Sequence, residues 1–491
     1  MSAARRALMW FRRTAGRTSP VAIGLAMVGF AIAIHIPTLG QPLVENQSFR
    51  QTETAYPALI FYGQGIDLLR PQVPVFGPPF VLPFEFPLFQ AAGSMVMGLG
   101  LAPDAAMRAT ALACFMVTAL VLWRLIVAVA GHAAGLAGLA GFLFSPLGLL
   151  VSRMSLIEYM ATAGALAFVL WGLRWHETGR WGWYVAALTA GAVGFLVKPT
   201  TGVMYLVPLL VLVVVAWRRG QLPVARRSLY GSAVAALFVV PLVLAAGWTL
   251  YADGVRASNP ASAWLTAAGG LSEGLFGTLQ QKLDPSTWWQ LAAEAQELLF
   301  GGALWLWVLL AIAAAIALAR RAFAIALVLS ASLGPLIFTN YYVVHDYYMA
   351  ALSPLVAIAV GLAAGWVWQQ RQHSVSKVVL LSLALGWAIT LHLNQGYWGR
   401  QFADVYDRDQ VMPAAEYVAA HTQPDELVAL AGQDWNPSIF YYARRQGLMV
   451  RDQTGPDVYA QLRDSGYTRL FRCPGGVGSS TPCDVIDLST Q

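Results

Sequence analysis

The segment LYGSAVAALFVVPLVLAAGWTLY, residues 229–251, carries no charged residue over 23 positions. About 20 apolar residues suffice for a helix to cross the hydrocarbon core of a bilayer. The pattern recurs along the chain, and the candidate runs are 20–37, 86–101, 109–130, 133–151, 157–173, 181–198, 200–217, 229–251, 303–319, 322–339, 347–367 and 378–395. The sequence therefore predicts an all-α polytopic membrane protein.

The composition agrees with that class. The 491 residues are 57% hydrophobic and 11% charged, whereas a soluble globular chain is about 45–50% apolar and about 25% charged. A soluble enzyme and a disordered protein are thereby excluded. The net charge of +6 comes from arginines between the apolar runs, which is typical of topology anchors and disfavours a nucleic-acid partner. The sequence contains no Walker loop, no Gly-rich dinucleotide turn after a strand and no nucleophile elbow, which disfavours an ATP-driven pump and a cytoplasmic nucleotide-sugar enzyme.

The basic clusters predict sidedness, because cytoplasmic loops are enriched in Lys and Arg. Five arginines lie in residues 1–19, and further clusters lie at 174–180, 218–227, 320–321 and 371–377. An even number of spans must separate the N-terminus from the cluster at 174–180, so one of the five runs between them does not cross. The run 86–101 is short and Gly-rich, and we predict that it forms a helix at the membrane surface. Eleven spans remain in an inner membrane, with the N-terminus in the cytoplasm and the C-terminus outside.

This topology divides the chain into three regions. Residues 1–19 form a basic cytoplasmic segment, and residues 20–398 form the membrane domain. That domain has two long outer loops. The loop 38–107 contains juxtamembrane helices, and the loop 252–302 contains Trp264, Trp288 and Trp289, which are suited to the interface between membrane and water. Twelve of the thirteen acidic residues before position 396 fall on the outer side. The chemistry is therefore expected on that face.

Residues 399–491 are predicted to form a small α/β domain on the periplasmic side, because short helix and strand patterns alternate there. PAAEYVAAHT favours a helix and ELVALAG a strand. PSIFYYARRQG favours a second helix that ends at Gly447, and YTRLF a second strand. Cys473 and Cys483 could form a disulfide in an oxidising compartment.

Candidate catalytic acids follow the first apolar run. The segment ENQSFRQTETAY, residues 45–56, holds Glu45 and Glu53, with Arg50 and Gln51 between them as substrate-binding candidates. Either carboxylate could accept a proton from an acceptor hydroxyl as a general base, or could be an ordinary solvated loop acid. Glu85, in LPFEFPLFQ, either belongs to the same site or is a helix N-terminal acid stabilised by the helix dipole.

Charged residues at the ends of apolar runs form a second group, because charge near the hydrocarbon is costly. Arg153 and Glu158 lie five residues apart, either in a site, with Glu158 as a further catalytic candidate and Arg153 as a substrate-binding candidate, or as a structural ion pair. Lys198, one of three lysines, ends a run and is suited to a lipid-linked phosphate, although its side chain could instead extend to the interface. Arg108, at the end of the first outer loop, is a further substrate-binding candidate.

The segment NYYVVHDYYMAALSP, residues 340–354, supplies His345, Asp346, Tyr347 and Tyr348 as further substrate-binding candidates. Its aromatic pairs are also typical of an interfacial belt. His345 could donate to a phosphate or bind a metal. The spacing of His and Cys residues gives no strong metal signal, so a divalent metal stays open as a cofactor.

In their order and sidedness these motifs resemble the GT-C fold glycosyltransferases, and in particular the bacterial family related to the protein O-mannosyltransferases and the lipid A aminoarabinose transferases. The resemblance covers roughly residues 20–400 and extends to the stretch WNPSIFYYARRQG in the C-terminal domain. It implies an inverting transfer of a sugar from a polyprenyl-phosphate carrier to a lipid, glycan or protein acceptor. It also implies that a first-loop acid is the base and that Arg and Lys at span ends hold the phosphate.

The sequence departs from this family in one respect. The family often has an Asp-Glu pair after the first span, whereas Glu45 and Glu53 stand apart. Either could be the base, and we favour Glu53 because Tyr56 follows at the family's usual spacing.

Other classes of function remain open on the sequence. A transporter or lipid-linked sugar flippase would be expected to show internal repeats, and no convincing repeat is present. A surface polysaccharide polymerase or ligase would share the donor and differ in its product. A catalytically silent membrane scaffold that presents the C-terminal domain is the third alternative.

Overall fold

A computed structural model describes residues 19–218, 227–301, 321–370, 372, 406–451, 455–473 and 483–490. The predicted spans 303–319 and 378–395, and nearly all of the basic N-terminal segment, lie outside the described residues. The described α-helices are α1 (Pro20–His35), α2 (Ser48–Gln64), α3 (Leu88–Gly98), α4 (Pro103–Ala130), α5 (His132–Leu143), α6 (Pro146–Val151), α7 (Glu158–Thr178), α8 (Trp181–Val197), α9 (Pro199–Gly202), α10 (Leu206–Arg218), α11 (Arg227–Ala257), α12 (Ser272–Phe276), α13 (Leu279–Leu283), α14 (Pro285–Phe300), α15 (Arg321–Ile337), α16 (Thr339–Val344), α17 (Ser353–Gln369), α18 (Tyr406–Ala420), α19 (Ser438–Ala443) and α20 (Pro456–Asp464). A 3₁₀ helix, Asp346–Ala351, precedes α17.

Three of the described helical segments are long and apolar enough to cross a membrane: Pro20–Thr38, Pro103–Ala130 and Tyr230–Ala257. Shorter apolar helices are His132–Leu143, Trp181–Val197, Pro199–Val215, Ile325–Ile337 and Ser353–Gln369. The predominantly helical class is confirmed, whereas the total of eleven spans and their orientation stay predictions. Helix α3 has 11 residues, so at 1.5 Å per residue it is about 16 Å long, too short for a core of about 30 Å.

Two of the predicted runs are not single continuous helices. The run 133–151 is not one helix, because α5 ends before Ser145, which caps α6 by accepting a hydrogen bond from the backbone N of Gly148. Pro146 occupies the first position of α6, and α5 cannot continue through it because proline lacks an N–H and clashes with the preceding turn. The run 200–217 likewise begins with the short helix α9 and a 3₁₀ turn before α10.

Two glycines bring α7 and α8 close together. A Cβ atom on Gly164 would lie 2.7 Å from the backbone N of Gly194. Small residues at such crossings let helices in membranes approach closely. Because α7 begins at Glu158 and α8 is followed by Lys198, the crossing places these two charged residues side by side.

The C-terminal part is an α/β unit, as predicted. Its strands are β1 (Leu427–Ala431), β2 (Gln446–Val450), β3 (Arg469–Arg472) and β4 (Asp484–Asp487), in the order β2-β1-β3-β4. The strand β1 is parallel to β2 and β3, and β4 is antiparallel to β3. Cys473 and Cys483 form a disulfide. The predicted end of the second helix at Gly447 was wrong, because α19 ends before Arg444, which adopts the left-handed conformation (φ 56°), and Gly447 lies in β2.

The sheet is extended by a segment of the first outer loop. The backbone N of Met449 donates to the carbonyl of Val75 at 2.7 Å, and the N of Gly77 donates to the carbonyl of Gly447 at 2.8 Å. The loop thus adds to the free edge of β2. The first outer loop and the C-terminal unit therefore lie on the same side of the membrane domain.

Candidate active site

The first part of the candidate site is the start of α2. Arg50 and Glu53 lie three residues apart on this helix, a spacing that brings side chains together. Arg50 Nη1 donates to Glu53 Oε2 at 2.5 Å, and Arg50 Nη2 donates to Glu85 Oε2 at 3.0 Å. The guanidinium therefore holds carboxylates from two separate segments of the first outer loop.

The surroundings drive the pKa values of the two carboxyl groups in opposite directions. Burial raises the pKa of Glu53, and the charge of Arg50 offsets only part of that rise. Burial also opposes the ionisation of Glu85, but Arg50 and a 2.8 Å hydrogen bond from Gln90 outweigh it and lower the pKa of Glu85. Neighbouring groups whose pKa values are driven apart commonly divide the acid and base roles.

The second part is the buried pair of Glu158 and Lys198. Lys198 Nζ donates to Glu158 Oε1. The same ammonium lies 3.5 Å from the ring centroid of Tyr348 and 5.2 Å from that of Tyr347, so cation–π attraction also holds it. Lys198 is buried and does not extend to the interface. Glu158 pairs with Lys198 and Arg153 with Glu45, so the alternative of an ion pair between Arg153 and Glu158 is not the pairing in the structure.

The third part is the segment that begins at His345. Gln47 Nε2, at the start of α2, donates to Asp346 Oδ1 at 3.0 Å. Burial raises the pKa of Asp346. Burial and the positive charges of Lys198 and Arg50 lower the pKa of His345 to about 4, so its imidazole is neutral at pH 7.

These three parts meet in one place. Gln47, at the start of α2, donates to Asp346, and the ammonium of Lys198 lies over the ring of Tyr348. The backbone N of Phe86, next to Glu85, donates to the carbonyl of Leu196 at 3.1 Å, so the segment of Glu85 lies beside the end of α8. The structure therefore brings the segments that carry Glu53, Glu85 and Lys198 into one region, although the sequence separates them widely.

Glu45 belongs to a different cluster. It accepts hydrogen bonds from Arg108 Nη1 at 2.6 Å and from Arg153 Nη2. Arg108 also donates to the carbonyls of Gln41 and Pro42 and is fully buried, and Arg153 is 1% exposed. Glu45 is thus held by two buried arginines, and the catalytic role of Glu45 and the substrate-binding roles of Arg108 and Arg153 stay predictions.

Gln51 joins this cluster to the site. Its side chain is fully buried, donates to the carbonyl of Asn46 at 2.8 Å and accepts from the backbone N of Ser155 at 3.0 Å. The amide nitrogen and the amide oxygen of Gln51 thus both form hydrogen bonds with backbone groups. Gln51 fixes α2 against the segment before α7, and its role in substrate binding stays a prediction.

Replacing Glu45 with glutamine is expected to lower stability and to spare catalysis in the protein that still folds. Two buried arginines would lose their shared carboxylate, and breaking a buried ion pair costs about 3–5 kcal/mol. Thermal unfolding of the purified protein measures the first effect, and the transfer rate per folded molecule measures the second. Unchanged stability together with lost transfer would instead assign catalysis to Glu45.

Sequence analysis did not single out Arg256, which lies next to the site. Arg256 Nη1 donates to the carbonyl of Pro83 at 2.5 Å, and its guanidinium lies 5.2 Å from the ring centroid of Phe84. Arg256 thus holds the residues before Glu85, and its charge acts on Glu53. A signal was available in the sequence, because an arginine on an outer loop departs from the positive-inside rule.

Known proteins share this arrangement of elements. Residues 83–245 match the family of dolichyl-phosphate-mannose-protein mannosyltransferases. The fold is similar to that of ArnT from Cupriavidus metallidurans bound to undecaprenyl phosphate, with a TM-score of 0.61 at 15% identity over 92% of this chain and 93% of that chain. The chain has the GT-C glycosyltransferase fold. The resemblance seen in the sequence is thereby confirmed at the level of the fold.

Other GT-C structures are similar as well. The oligosaccharyltransferase AglB from Archaeoglobus fulgidus, in complex with an inhibitory peptide and a dolichol-phosphate, gives a TM-score of 0.56 at 11% identity over 94% of this chain and 70% of that chain. The arabinofuranosyltransferase AftD from Mycobacteria gives 0.51 at 15% identity over 93% and 36%. No curated protein sequence matches the chain. Since these enzymes differ in the group they transfer, the GT-C fold does not identify the sugar.

The described part of this GT-C chain gives no support to a metal cofactor. No three His, Cys, Asp or Glu side chains among the described residues lie close enough to hold an ion. His345, the candidate ligand, packs against the rings of Tyr341, Tyr347 and Tyr348.

Proposed function

We propose that the chain is an inverting glycosyltransferase that moves a sugar from a polyprenyl-phosphate donor to an acceptor on the outer face of an inner membrane. The observation that carries the proposal is that the Arg50–Glu53–Glu85 cluster and the buried Glu158–Lys198 pair both adjoin the segment 346–348 in a GT-C fold. A carboxylate that can act as a base and a cation that can hold the phosphate are what the displacement of a phosphate by a hydroxyl requires. ArnT was solved with undecaprenyl phosphate and AglB with a dolichol-phosphate, which supports this class of donor.

The base in this proposal is Glu53. It accepts the proton of the acceptor hydroxyl while the hydroxyl oxygen attacks the anomeric carbon of the sugar. The new bond forms on the face opposite the phosphate, so the configuration at that carbon is inverted. The bond between the carbon and the phosphate oxygen breaks, and its electron pair leaves with the polyprenyl phosphate. Because the phosphate is stable as an anion, its departure needs no general acid.

Lys198 offsets the negative charge on the departing phosphate. An ammonium has three N–H donors, and the hydrogen bond to Glu158 uses one of them. The others suit phosphate oxygens. Glu158 then orients Lys198 rather than touching the reacting atoms, and the neutral His345 can donate its single N–H to the same phosphate.

The outer, periplasmic side is the proposed place of reaction. The distribution of arginines and acids along the sequence favours it. The disulfide between Cys473 and Cys483 also supports it, because structural disulfides persist in oxidising compartments. The contact between the first outer loop and β2 gives the site and the C-terminal unit a common side.

Mass spectrometry of lipids, glycans and proteins from a deletion strain tests the proposal. We expect one glycosylated product to disappear and an undecaprenyl-phosphate sugar to accumulate. The wild-type gene should restore the product, and its mass should identify the sugar and the class of acceptor. An unchanged set of covalent products, together with uptake of labelled substrate into proteoliposomes, would favour a transporter instead.

A further inference from the structure

The C-terminal unit contacts the helix that carries Glu53. Thr52 Oγ1 lies 2.9 Å from Ser438 Oγ, and both residues are buried. Thr52 Oγ1 also lies 2.8 Å from the carbonyl of Ser48, and Ser438 Oγ lies 2.6 Å from Asn436 Oδ1, so either hydroxyl can be the donor of the bond between Thr52 and Ser438. A chain of hydrogen bonds thus joins α2 to the start of α19, one residue before Glu53.

Aromatic residues extend this contact along α2. Phe49, Thr52 and Tyr56 lie three or four residues apart and form one stripe on the helix. The ring of Tyr56 packs edge-on against Tyr441 at 5.9 Å, and the ring of Phe49 packs edge-on against Trp435 at 4.5 Å. The C-terminal unit therefore covers this stripe, next to the face that bears Glu53.

The helix needs outside support at this turn. Pro57 lies inside α2 and has no N–H to donate to the carbonyl of Glu53, four residues earlier. The missing bond weakens the helix at the residue whose side chain must be aligned. The contacts of Thr52 and Tyr56 lie on either side of Glu53 along the chain, so they hold the turn that proline weakens.

The supporting helix α19 is itself firmly held. The hydroxyl groups of Tyr441 and Tyr442 donate to the two carboxylate oxygens of Asp104, at 2.8 and 3.2 Å. Tyr442 also accepts a hydrogen bond from the backbone N of Leu43 at 2.6 Å. These bonds fix α19 to the start of α4 and to the segment before α2, so α19 can act as a fixed reference for α2.

We infer that Thr52 and Ser438 are positioning residues, through which the C-terminal unit sets the orientation of Glu53. The inference rests on the proposed role of Glu53 as the base. A displacement of about 1 Å in a reacting group can cost about 100-fold in rate. Loss of the Thr52–Ser438 bond should therefore slow the chemical step. Donor binding should be spared, because it depends on the separate Glu158–Lys198 pair.

Thr52→Val and Ser438→Ala test this inference, each assayed in membranes of the deletion strain with a panel of undecaprenyl-phosphate hexoses and pentoses. Each variant is expected to lower kcat by about tenfold or more and to leave KM and undecaprenyl phosphate binding unchanged. Thr52→Ser, which keeps the hydroxyl, should restore most of the rate. The double variant should be no slower than the slower single one, because both changes break the same bond.

Thr110→Val is the matched control. Thr110 is also a buried helical threonine that donates to the carbonyl four residues earlier, Ala106, and it lies on α4. Its removal should leave kcat unchanged. Thermal unfolding is recorded for every variant, and Ser438→Ala tests the bond from the other side if Thr52→Val does not fold.

The outcomes separate the inference from the proposed function. Wild-type kcat in Thr52→Val and Ser438→Ala, with an inactive Glu53→Gln, overturns the inference and leaves the base assignment standing. A raised KM at unchanged kcat also overturns it, because the pair would then serve binding. A fully active Glu53→Gln overturns the base assignment and the inference together.

Discussion

Replacing Glu53 with glutamine is expected to lower the rate of transfer by about 10²- to 10⁴-fold, which is the usual contribution of a general base. The glutamine amide cannot accept the hydroxyl proton. Its carbonyl oxygen can still accept the hydrogen bond from Arg50, so the arrangement of α2 and Glu85 should persist. Undecaprenyl phosphate binding, which depends on Lys198 in our proposal, should stay at the wild-type level.

The pH profile gives an independent measurement of the same assignment. A base must be deprotonated to act, and burial raises the pKa of Glu53. As the solution is acidified, activity should therefore begin to fall at a higher pH than it would if the base were an ordinary, solvent-exposed glutamate. Glu273→Gln, a change at an exposed glutamate of the second outer loop, is the matched control and should leave the profile unchanged. Turnover by Glu53→Gln at the wild-type rate would exclude Glu53 as the base.

The helical scaffold was largely predictable because apolar runs are long and unambiguous. The run 229–251 lies inside α11, and the run 109–130 lies inside α4. The run 133–151 was misjudged because average hydropathy does not register the break that Pro146 imposes.

The predicted topology indicated which charged residues lie on the same side of the membrane, but it did not indicate which of them form ion pairs. Arg153 and Glu158 are close in sequence, and this proximity suggested a pair. In the structure each finds a partner far along the chain, Glu45 for Arg153 and Lys198 for Glu158. These pairings depend on how helices cross, for example on the close approach of α7 and α8, and no local pattern reports that crossing.

In the C-terminal unit, too, local structure was easier to predict than contacts between distant residues. Two of its three described α-helices and two of its four described strands followed from local patterns, whereas α20, β2, β4 and the contacts with the first outer loop did not. The hydrogen bond between Thr52 and Ser438 joins residues 386 positions apart. Two ordinary hydroxyl residues give no sequence signal of such a contact, although it joins the C-terminal unit to the helix that carries the proposed base.

Replacing Lys198 with methionine is expected to weaken the binding of undecaprenyl phosphate by about 10- to 100-fold. A hydrogen bond to a charged group contributes about 1.5–3 kcal/mol, and each 1.4 kcal/mol corresponds to about tenfold in affinity. Methionine fills a similar space between Glu158 and the ring of Tyr348 but offers no donor and no charge. Titration of the purified protein with undecaprenyl phosphate measures the change.

The single variant also leaves Glu158 buried without its cation, which should cost about 3–5 kcal/mol of stability. The double variant Glu158→Gln with Lys198→Met removes both charges and should regain much of that stability while binding stays weak. Glu158→Gln alone keeps the ammonium and frees it from a competing carboxylate, so binding should be retained or become tighter. This pattern would separate a phosphate-binding lysine from one that only stabilises the fold. Wild-type affinity in the double variant would show that Lys198 does not bind the phosphate, and its pairing with Glu158 would then be purely structural.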